Sequence, residues 1–197
     1  MRQKDPATTV YFVRHGQTDF PLDRIYCDQR EDPELNSSGV QQAKSAAELL
    51  RDAPLAAIYA SPARRTDATA AAVNAFHALD VQYREALRER HFGIWEGLYF
   101  HEIENRYPDE YRRWKKDNAG FKPEGGENIH DLALRLNPVL DEIRAHHAGK
   151  AVAVVTHVGP IRTFIAQALA LPLPEYRRLT IDNAAIPCEL RRAPTYI

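Results

Sequence analysis

The chain has 197 residues, of which 44% are hydrophobic and 27% are charged, a composition that fits one domain spanning residues 1–197. Lys and Arg number 26 against 27 Asp and Glu, so no overall field draws the protein to nucleic acid or an anionic membrane. The absence of an apolar leader and of a membrane-length stretch predicts a soluble cytoplasmic protein. Two cysteines, Cys27 and Cys188, make no disulfide framework or metal motif and are interpreted as free thiols.

In the first half of the chain, short β-branched runs alternate with longer helical patterns. A strand over residues 8–13 precedes a helix from about Ser38, whose predicted apolar face carries Val40, Ala43, Ala47 and Leu50. A second strand over 56–59 leads into an Ala-rich helix over about 62–78, with Pro62 at the first helical position. This βαβ rhythm predicts an α/β three-layer sandwich, with a mainly parallel central sheet flanked by helices.

The second half begins with a short strand over 81–83 and an irregular stretch to Gly97. Residues 98–122 read as helical pieces rich in Tyr and Trp, and we expect them to form a helical insertion or lid. A helical pattern over 132–143 contains Pro138, which predicts a kink or a split. The strand over 151–156 is a continuous apolar run of the kind buried on both faces, and a helix is expected to open at Pro160. Residues 178–190 predict one or two edge strands.

Polar side chains follow three of these strands, at the sheet edge where α/β proteins bind ligands. Arg14 and His15 follow the first strand, Arg64 and Arg65 the second, and His157 the 151–156 strand. Guanidinium groups hold phosphate oxygens bidentately and keep their charge, and a helix opening beside them adds unpaired N–H groups. The pattern therefore predicts a phosphate site that needs no metal or other cofactor.

A histidine in such a site can act as a nucleophile when one ring nitrogen is unprotonated and the other is held by a hydrogen bond. Glu89 is the candidate proton donor to the leaving oxygen. Each residue alone has a more ordinary interpretation: a solvated arginine, a core histidine or an exposed ion-pair partner. A metal site of His15, His157 and Glu89 is also conceivable, but Arg14 and Arg65 would repel the cation.

Six ordered segments carry a resemblance to a known family. They are the run Val13-Arg14-His15-Gly16-Gln17-Thr18, residues 35–43, the Ser-Pro-x-x-Arg-Thr helix within 58–70, the acid-bearing loop 89–97, the Gly-Gly-Glu turn at 124–127, and residues 156–162. Together they resemble branch 1 of the histidine phosphatase superfamily, which is phosphoglycerate-mutase-like, over residues 10–186. Val158 departs from the pattern, which usually has a second glycine there, and the loop 19–34 does not match it.

The resemblance implies a role for each matching residue. His15 would be the phosphorylated nucleophile and Glu89 the proton donor and acceptor, and Arg14, Arg65 and His157 would grip the phosphoryl oxygens. Gln17 and Thr18 fall where the family contacts phosphate or substrate, and Asn183 lies in a late Asn-Ala-x-Ile segment. Because the loop 19–34 helps to shape substrate choice, specificity does not transfer.

The leading hypothesis is a metal-independent phosphatase that hydrolyses a phosphomonoester of a small metabolite through a phosphohistidine on His15. Phosphoglycerate mutase-type phosphotransfer is an alternative, weakened by the balanced charge of residues 101–117. A noncatalytic phospholigand-binding module is another, although binding alone needs no proton donor such as Glu89. The expected partner is a small phosphorylated molecule, and no heptad or long exposed apolar stripe indicates an oligomeric state.

Overall fold

The computed structural model describes residues 7–25, 31–183 and 185–190, the last of these for the backbone alone. Five strands form one sheet in the order β3-β2-β4-β1-β5. Their bounds are Thr8–Arg14 (β1), Leu55–Ala60 (β2), Val81–Tyr83 (β3), Ala151–Thr156 (β4) and Ala185–Leu190 (β5). The first four run parallel, and β5 pairs antiparallel with β1 at the sheet edge. The mainly parallel α/β sheet and the edge strand in the tail are thus confirmed.

In the described part of the chain, six α-helices accompany the strands: Ser37–Leu50 (α1), Arg64–Asn74 (α2), Phe100–Arg106 (α3), Pro108–Lys116 (α4), Ile129–His146 (α5) and Val158–Ala168 (α6). Three short 3₁₀ turns lie at Glu85–Leu87, Gly93–Trp95 and Leu173–Arg178. Among the described residues, no helix is long and apolar enough to cross a membrane.

Each face of the sheet packs against a different pair of helices. On one face, Val10, Phe12 and Val154 pack with apolar residues of α5 and α6. On the other, Val13, Ile58 and Val155 pack with α1 and α2. Because β4 is wholly buried between these layers, its continuous apolar run is explained. The three-layer sandwich is confirmed.

The segment predicted as a helical insertion contains α3 and α4 and packs on its own aromatic cluster. Trp95, Trp114 and Phe121 are buried there, with Trp95 stacked on Phe121 at 5.1 Å between ring centroids. Arg24 links this segment to the loop before α1, because its Nε donates to the Gly97 carbonyl at 2.7 Å. That the segment acts as a lid stays a prediction.

Two helix starts differ from the sequence prediction. Pro62 precedes Ala63, the N-cap of α2, and so lies outside the helix rather than at its first position. The Thr66 hydroxyl, bonded to the Ser61 carbonyl at 2.8 Å, stabilises this turn before the helix. Helix α6 opens at Val158 with His157 as N-cap, two residues before Pro160. Proline is accommodated there because first-turn N–H groups have no partner within the helix.

Three helices also differ from the sequence prediction in where they end or in which residues they bury. Helix α2 ends at Asn74 rather than near residue 78, because the Asn74 side chain bonds both the N–H and the carbonyl of Leu79. Pro138 does not split α5, whose buried residues on both sides of it pack on the sheet. Val40 is 39% exposed, so its place on the apolar face of α1 was wrong. Gly39 and Ala46 are buried on that helix with Ala43, Ala47 and Leu50.

Candidate active site

The neighbouring strands β1 and β4 place two histidines side by side at the carboxyl edge of the sheet. Arg14 pairs in register with Thr156, so His15 and His157 both follow directly. The backbone N–H of His15 continues the ladder by donating to the Thr156 carbonyl at 3.0 Å. The two rings lie 5.2 Å apart between centroids, and both side chains are buried.

His15 is held with one ring nitrogen engaged. Its Nδ1 lies 2.8 Å from the Gly16 carbonyl, which can only accept, so Nδ1 carries the proton and Nε2 of the neutral ring keeps its lone pair. Burial, followed by the positive charge of Arg65, lowers the pKa of His15 from 6.5 to about 3. The ring is therefore neutral at pH 7, the state that a nucleophilic imidazole requires.

A buried chain of hydrogen bonds fixes Arg65. Its Nη2 lies 3.0 Å from His157 Nδ1, and a guanidinium can only donate, so His157 Nδ1 is the acceptor. The other ring nitrogen, Nε2, then carries the proton and donates to Ser61 Oγ at 2.9 Å. Burial first, and then the charge of Arg65, lower the pKa of His157 well below its usual value. His157 thus orients Arg65 as a neutral acceptor.

Arg14 supplies a second guanidinium at the same edge. Its Nη1 donates to the Ile181 carbonyl at 2.8 Å, and its buried Nε has no hydrogen-bond partner among the residues the structure describes. Asn183 connects the same region to His15, because its amide donates to the His15 carbonyl at 2.7 Å. The charges of Arg14 and Arg65 both act on His15. This arrangement favours an anion beside the imidazole.

Two glycines let the loop after β1 press against the start of α1. A Cβ on Gly16 would lie 2.3 Å from the Gly39 carbonyl oxygen, and one on Gly39 would lie 2.0 Å from that of Gln17. The Gly16 N–H donates to Thr69 Oγ1 at 3.2 Å. Any larger side chain at either glycine would displace backbone next to His15.

Gln17 and Thr18, which were predicted to contact the substrate, lie in that loop. Gln17 is exposed, and its backbone N–H bonds the Gln42 side chain at 2.8 Å. Thr18 is buried, and its hydroxyl accepts from the Phe20 N–H at 3.3 Å. Their roles with substrate stay predictions.

Glu89 reaches the site from the loop after Glu85–Leu87. Its Oε1 accepts from the Arg90 N–H at 2.7 Å, and its Oε2 accepts from the Gly159 N–H at 3.2 Å, in the first turn of α6. Arg135 holds the loop, donating to the Glu89 carbonyl at 3.2 Å while pairing with both carboxylate oxygens of Glu127. The candidate acid therefore lies at the start of the helix that His157 caps.

The two adjacent arginines of α2 have different surroundings. Arg65 is fully buried, whereas Arg64 is exposed and forms an ion pair with Glu34. Asp32 is shared between them: it accepts from the Arg64 N–H and lies 3.5 Å from Arg65 Nη1. Sequence reasoning did not assign Ser61, Asp32 or Arg135. Ser61 sits in the Ser-Pro motif, which could have drawn attention to it, but nothing local marks Asp32.

No group of three or more His, Cys, Asp and Glu side chains in the described ranges has a metal-binding arrangement, so the alternative metal site of His15, His157 and Glu89 gains no support. Cys27 lies outside the described residues, as does the side chain of Cys188. Within the described part, the site consists of a neutral imidazole, two guanidinium groups and a carboxylate at one helix start. Fold and site together define an α/β protein that gathers two guanidinium groups and a neutral imidazole at the carboxyl edge of its sheet.

Comparison with known proteins gives the family. The model of the histidine phosphatase superfamily (branch 1) matches residues 10–191, and the chain belongs to this superfamily. A bifunctional protein of Mycobacterium tuberculosis is 37% identical over 180 residues, 91% of this chain and 49% of the relative. The chain thus spans about half the length of that relative.

Two further matches cover most of both chains. Phosphoserine phosphatase 1 of Hydrogenobacter thermophilus is 31% identical over 177 residues, 89% of this chain and 83% of the relative. The native structure of a mycobacterial glucosyl-3-phosphoglycerate phosphatase superposes with a TM-score of 0.82 at 32% identity, covering 93% of this chain and 89% of that one. Family membership confirms the resemblance noted in the sequence.

Proposed function

We propose that the protein hydrolyses a phosphomonoester of a small metabolite, without a metal, through a phosphohistidine on His15. Family membership and the phosphatase names of two similar proteins support this activity. The observation that carries it is the state of His15: a buried, neutral ring with Nδ1 bonded to the Gly16 carbonyl and the Nε2 lone pair unprotonated. Binding alone would not require that state.

In the first step, His15 Nε2 forms a bond to phosphorus while the bond from phosphorus to the ester oxygen breaks. Glu89 gives its proton to the departing oxygen, which leaves as an alcohol. In the second step, Glu89 takes a proton from water, the water oxygen bonds phosphorus, and the N–P bond breaks. Inorganic phosphate is released and His15 returns to its neutral state.

Fixed positive groups stabilise the negative charge on the transferring phosphoryl group. Arg65 is oriented by His157, and Arg14 is oriented by the Ile181 carbonyl, so both are positioned before substrate arrives. Groups positioned in advance stabilise a transition state without the cost of rearrangement. We assign phosphate binding to Arg14, Arg65 and His157, with Gln17 and Thr18 at the substrate side. We also propose that residues 98–122 cover that side, in a cytoplasmic enzyme.

The test is phosphate release from a panel of sugar phosphates, phosphoglycerates, nucleotides and p-nitrophenyl phosphate, with EDTA present. His15→Ala should abolish release, whereas His146→Ala, which removes an exposed histidine of α5, should retain it. Acid-labile, alkali-stable label from a ³²P-ester should appear on the wild-type chain and not on His15→Ala. Wild-type turnover by the His15→Ala variant would overturn the proposal.

The same assay separates the two alternatives. A mutase would interconvert phosphoglycerates in the presence of a bisphosphoglycerate primer without releasing phosphate. A binding module would bind phosphate yet show neither turnover nor labelled histidine. We expect release of phosphate and transient labelling.

A further inference from the structure

Arg162 is a charged residue close to the site that the proposed chemistry does not use. It lies three residues after Gly159, on the same face of α6, and is partly buried. Its Nε donates to the Leu179 carbonyl at 2.7 Å. No ion pair of Arg162 is found among the described residues, although the carboxylate of Glu89 acts on its charge.

The backbone between Leu179 and Ile181 sets Arg162 beside Arg14. Arg14 donates to the Ile181 carbonyl and Arg162 to the Leu179 carbonyl, two residues earlier. Both carbonyls belong to one segment of three residues, so the two guanidinium groups approach the same short stretch of backbone. Burial lowers the pKa of Arg162, as do the charges of Arg177 and Arg14, while Tyr176 and Glu89 raise it. These influences agree with a position of the Arg162 guanidinium near both Glu89 and Arg14.

This position matches the path of the organic part of a substrate. With phosphate at His15 and the leaving oxygen at Glu89, the first carbon atoms must pass the start of α6, where Gly159 bonds Glu89. A guanidinium beyond that point is suited to a carboxylate, which it binds through two parallel N–H groups. Resting on the proposed function, we infer that Arg162 binds a carboxylate of the substrate, which is therefore a short carboxylated phosphomonoester.

The experiment compares two esters that differ in this one group. In 3-phosphoglycerate a carboxylate takes the place of the hydroxymethyl group of glycerol 3-phosphate. We expect wild-type kcat/KM to favour 3-phosphoglycerate, and Arg162→Gln to lower it by about 10- to 100-fold, the size of one charged hydrogen-bonded contact. Hydrolysis of glycerol 3-phosphate should change by less than about 3-fold, because the variant loses only the carboxylate contact.

Arg178→Gln is the matched control, since Arg178 is exposed in the neighbouring turn and pairs with Glu175. It should leave the ratio of the two esters unchanged. If Arg162→Gln lowers kcat/KM equally for both esters, Arg162 acts by positioning Glu89 and the inference is overturned. A wild-type enzyme that does not prefer 3-phosphoglycerate over glycerol 3-phosphate would also overturn it. If Arg162→Gln fails to fold, Arg162→Lys should lower the ratio through loss of the bidentate contact. Release from no ester at all would instead refute the proposed function.

Discussion

Gly159 offers a precise perturbation of the candidate acid. A Cβ placed on it would lie 2.1 Å from Glu89 Oε1, 3.2 Å from Glu89 Cδ and 3.6 Å from Leu132 Cδ2. The first contact is far inside van der Waals distance, while the contact with Leu132 is ordinary. Gly159→Ala should therefore displace the Glu89 carboxylate by more than about 1 Å and leave the rest of the packing in place.

The size of the effect follows from that displacement. Misplacing a catalytic group by ~1 Å costs up to about 100-fold in rate, within the range that general acids contribute. The fold should tolerate the change, because Glu89 is a flexible side chain and alanine is favoured over glycine within a helix by about 0.5–1 kcal/mol. Gly159→Ala should therefore lose activity while keeping its stability.

The assay compares leaving groups. Alkyl phosphates need a proton on the departing oxygen, whereas p-nitrophenolate leaves readily as an anion. In Gly159→Ala we expect kcat/KM for an alkyl phosphate to fall about 100-fold and for p-nitrophenyl phosphate by less than about 10-fold. Gly120→Ala is the matched control: its Cβ would lie 2.3 Å from Asp117 Oδ2, a similar clash with a carboxylate on the insertion side. Any change that it causes should affect both rates equally, because Asp117 is not the candidate proton donor.

Equal rate loss on both leaving groups would show that Gly159→Ala disturbs phosphate binding rather than proton donation. Undiminished hydrolysis of alkyl phosphates would show that the Glu89 carboxylate adapts or takes no part. Thermal unfolding of both variants checks that any loss of activity does not result from a loss of folded protein. Either kinetic outcome would refute the reasoning from the contact between Gly159 and Glu89.

Two further predictions concern the histidines. Because the native pKa of His15 is lowered to about 3, the unfolded chain binds a proton below pH 6.5 that the native chain does not, so stability is lost as pH falls. Between pH 6.5 and about pH 4.5 His15 costs roughly 1 kcal/mol of stability per pH unit. His15→Asn should flatten the pH dependence of urea unfolding by this amount in that range, and an unchanged slope would contradict it. Ser61→Ala removes the acceptor of His157 Nε2–H and should destabilise the fold by about 1–3 kcal/mol and weaken competitive inhibition by phosphate. Ser45→Ala, at an exposed serine of α1, is the control, and unaltered phosphate inhibition in Ser61→Ala would refute the role given to the chain from Ser61 to Arg65.

The sequence predicted those parts of the fold that depend on periodicity and on strand ends. The apolar runs before His15 and His157 identified two neighbouring parallel strands, and register then brought both histidines to one edge. Helix boundaries were less well predicted, because they depend on side-chain bonds between distant positions. Asn74 ends α2 by bonding Leu79, and Pro138 is held inside α5 by packing on the sheet. Neither interaction has a local pattern.

The same distinction holds within the site. Residue type alone does not distinguish Arg64 from Arg65, and the resemblance to the Ser-Pro-x-x-Arg-Thr motif was needed to select Arg65. In the structure Arg65 turns inward to His157, while Arg64 pairs with Glu34 at the surface. Asp32 reaches α2 from a loop more than thirty positions earlier, a contact that no spacing rule anticipates. Residue types and their order therefore indicated the chemistry, whereas the supporting contacts required the three-dimensional arrangement.

The site divides into two parts held by different means. His15, Arg65 and His157 follow strands or begin a helix beside them, and buried bonds from Thr156, Ser61 and Thr69 fix their surroundings. Glu89 instead lies on a loop whose position depends on Arg135 and on one glycine N–H at α6. Because strands and buried hydrogen bonds hold the surroundings of His15, whereas loops and α6 carry Glu89, the proposed function predicts that changes at Arg162 alter substrate choice without disturbing His15.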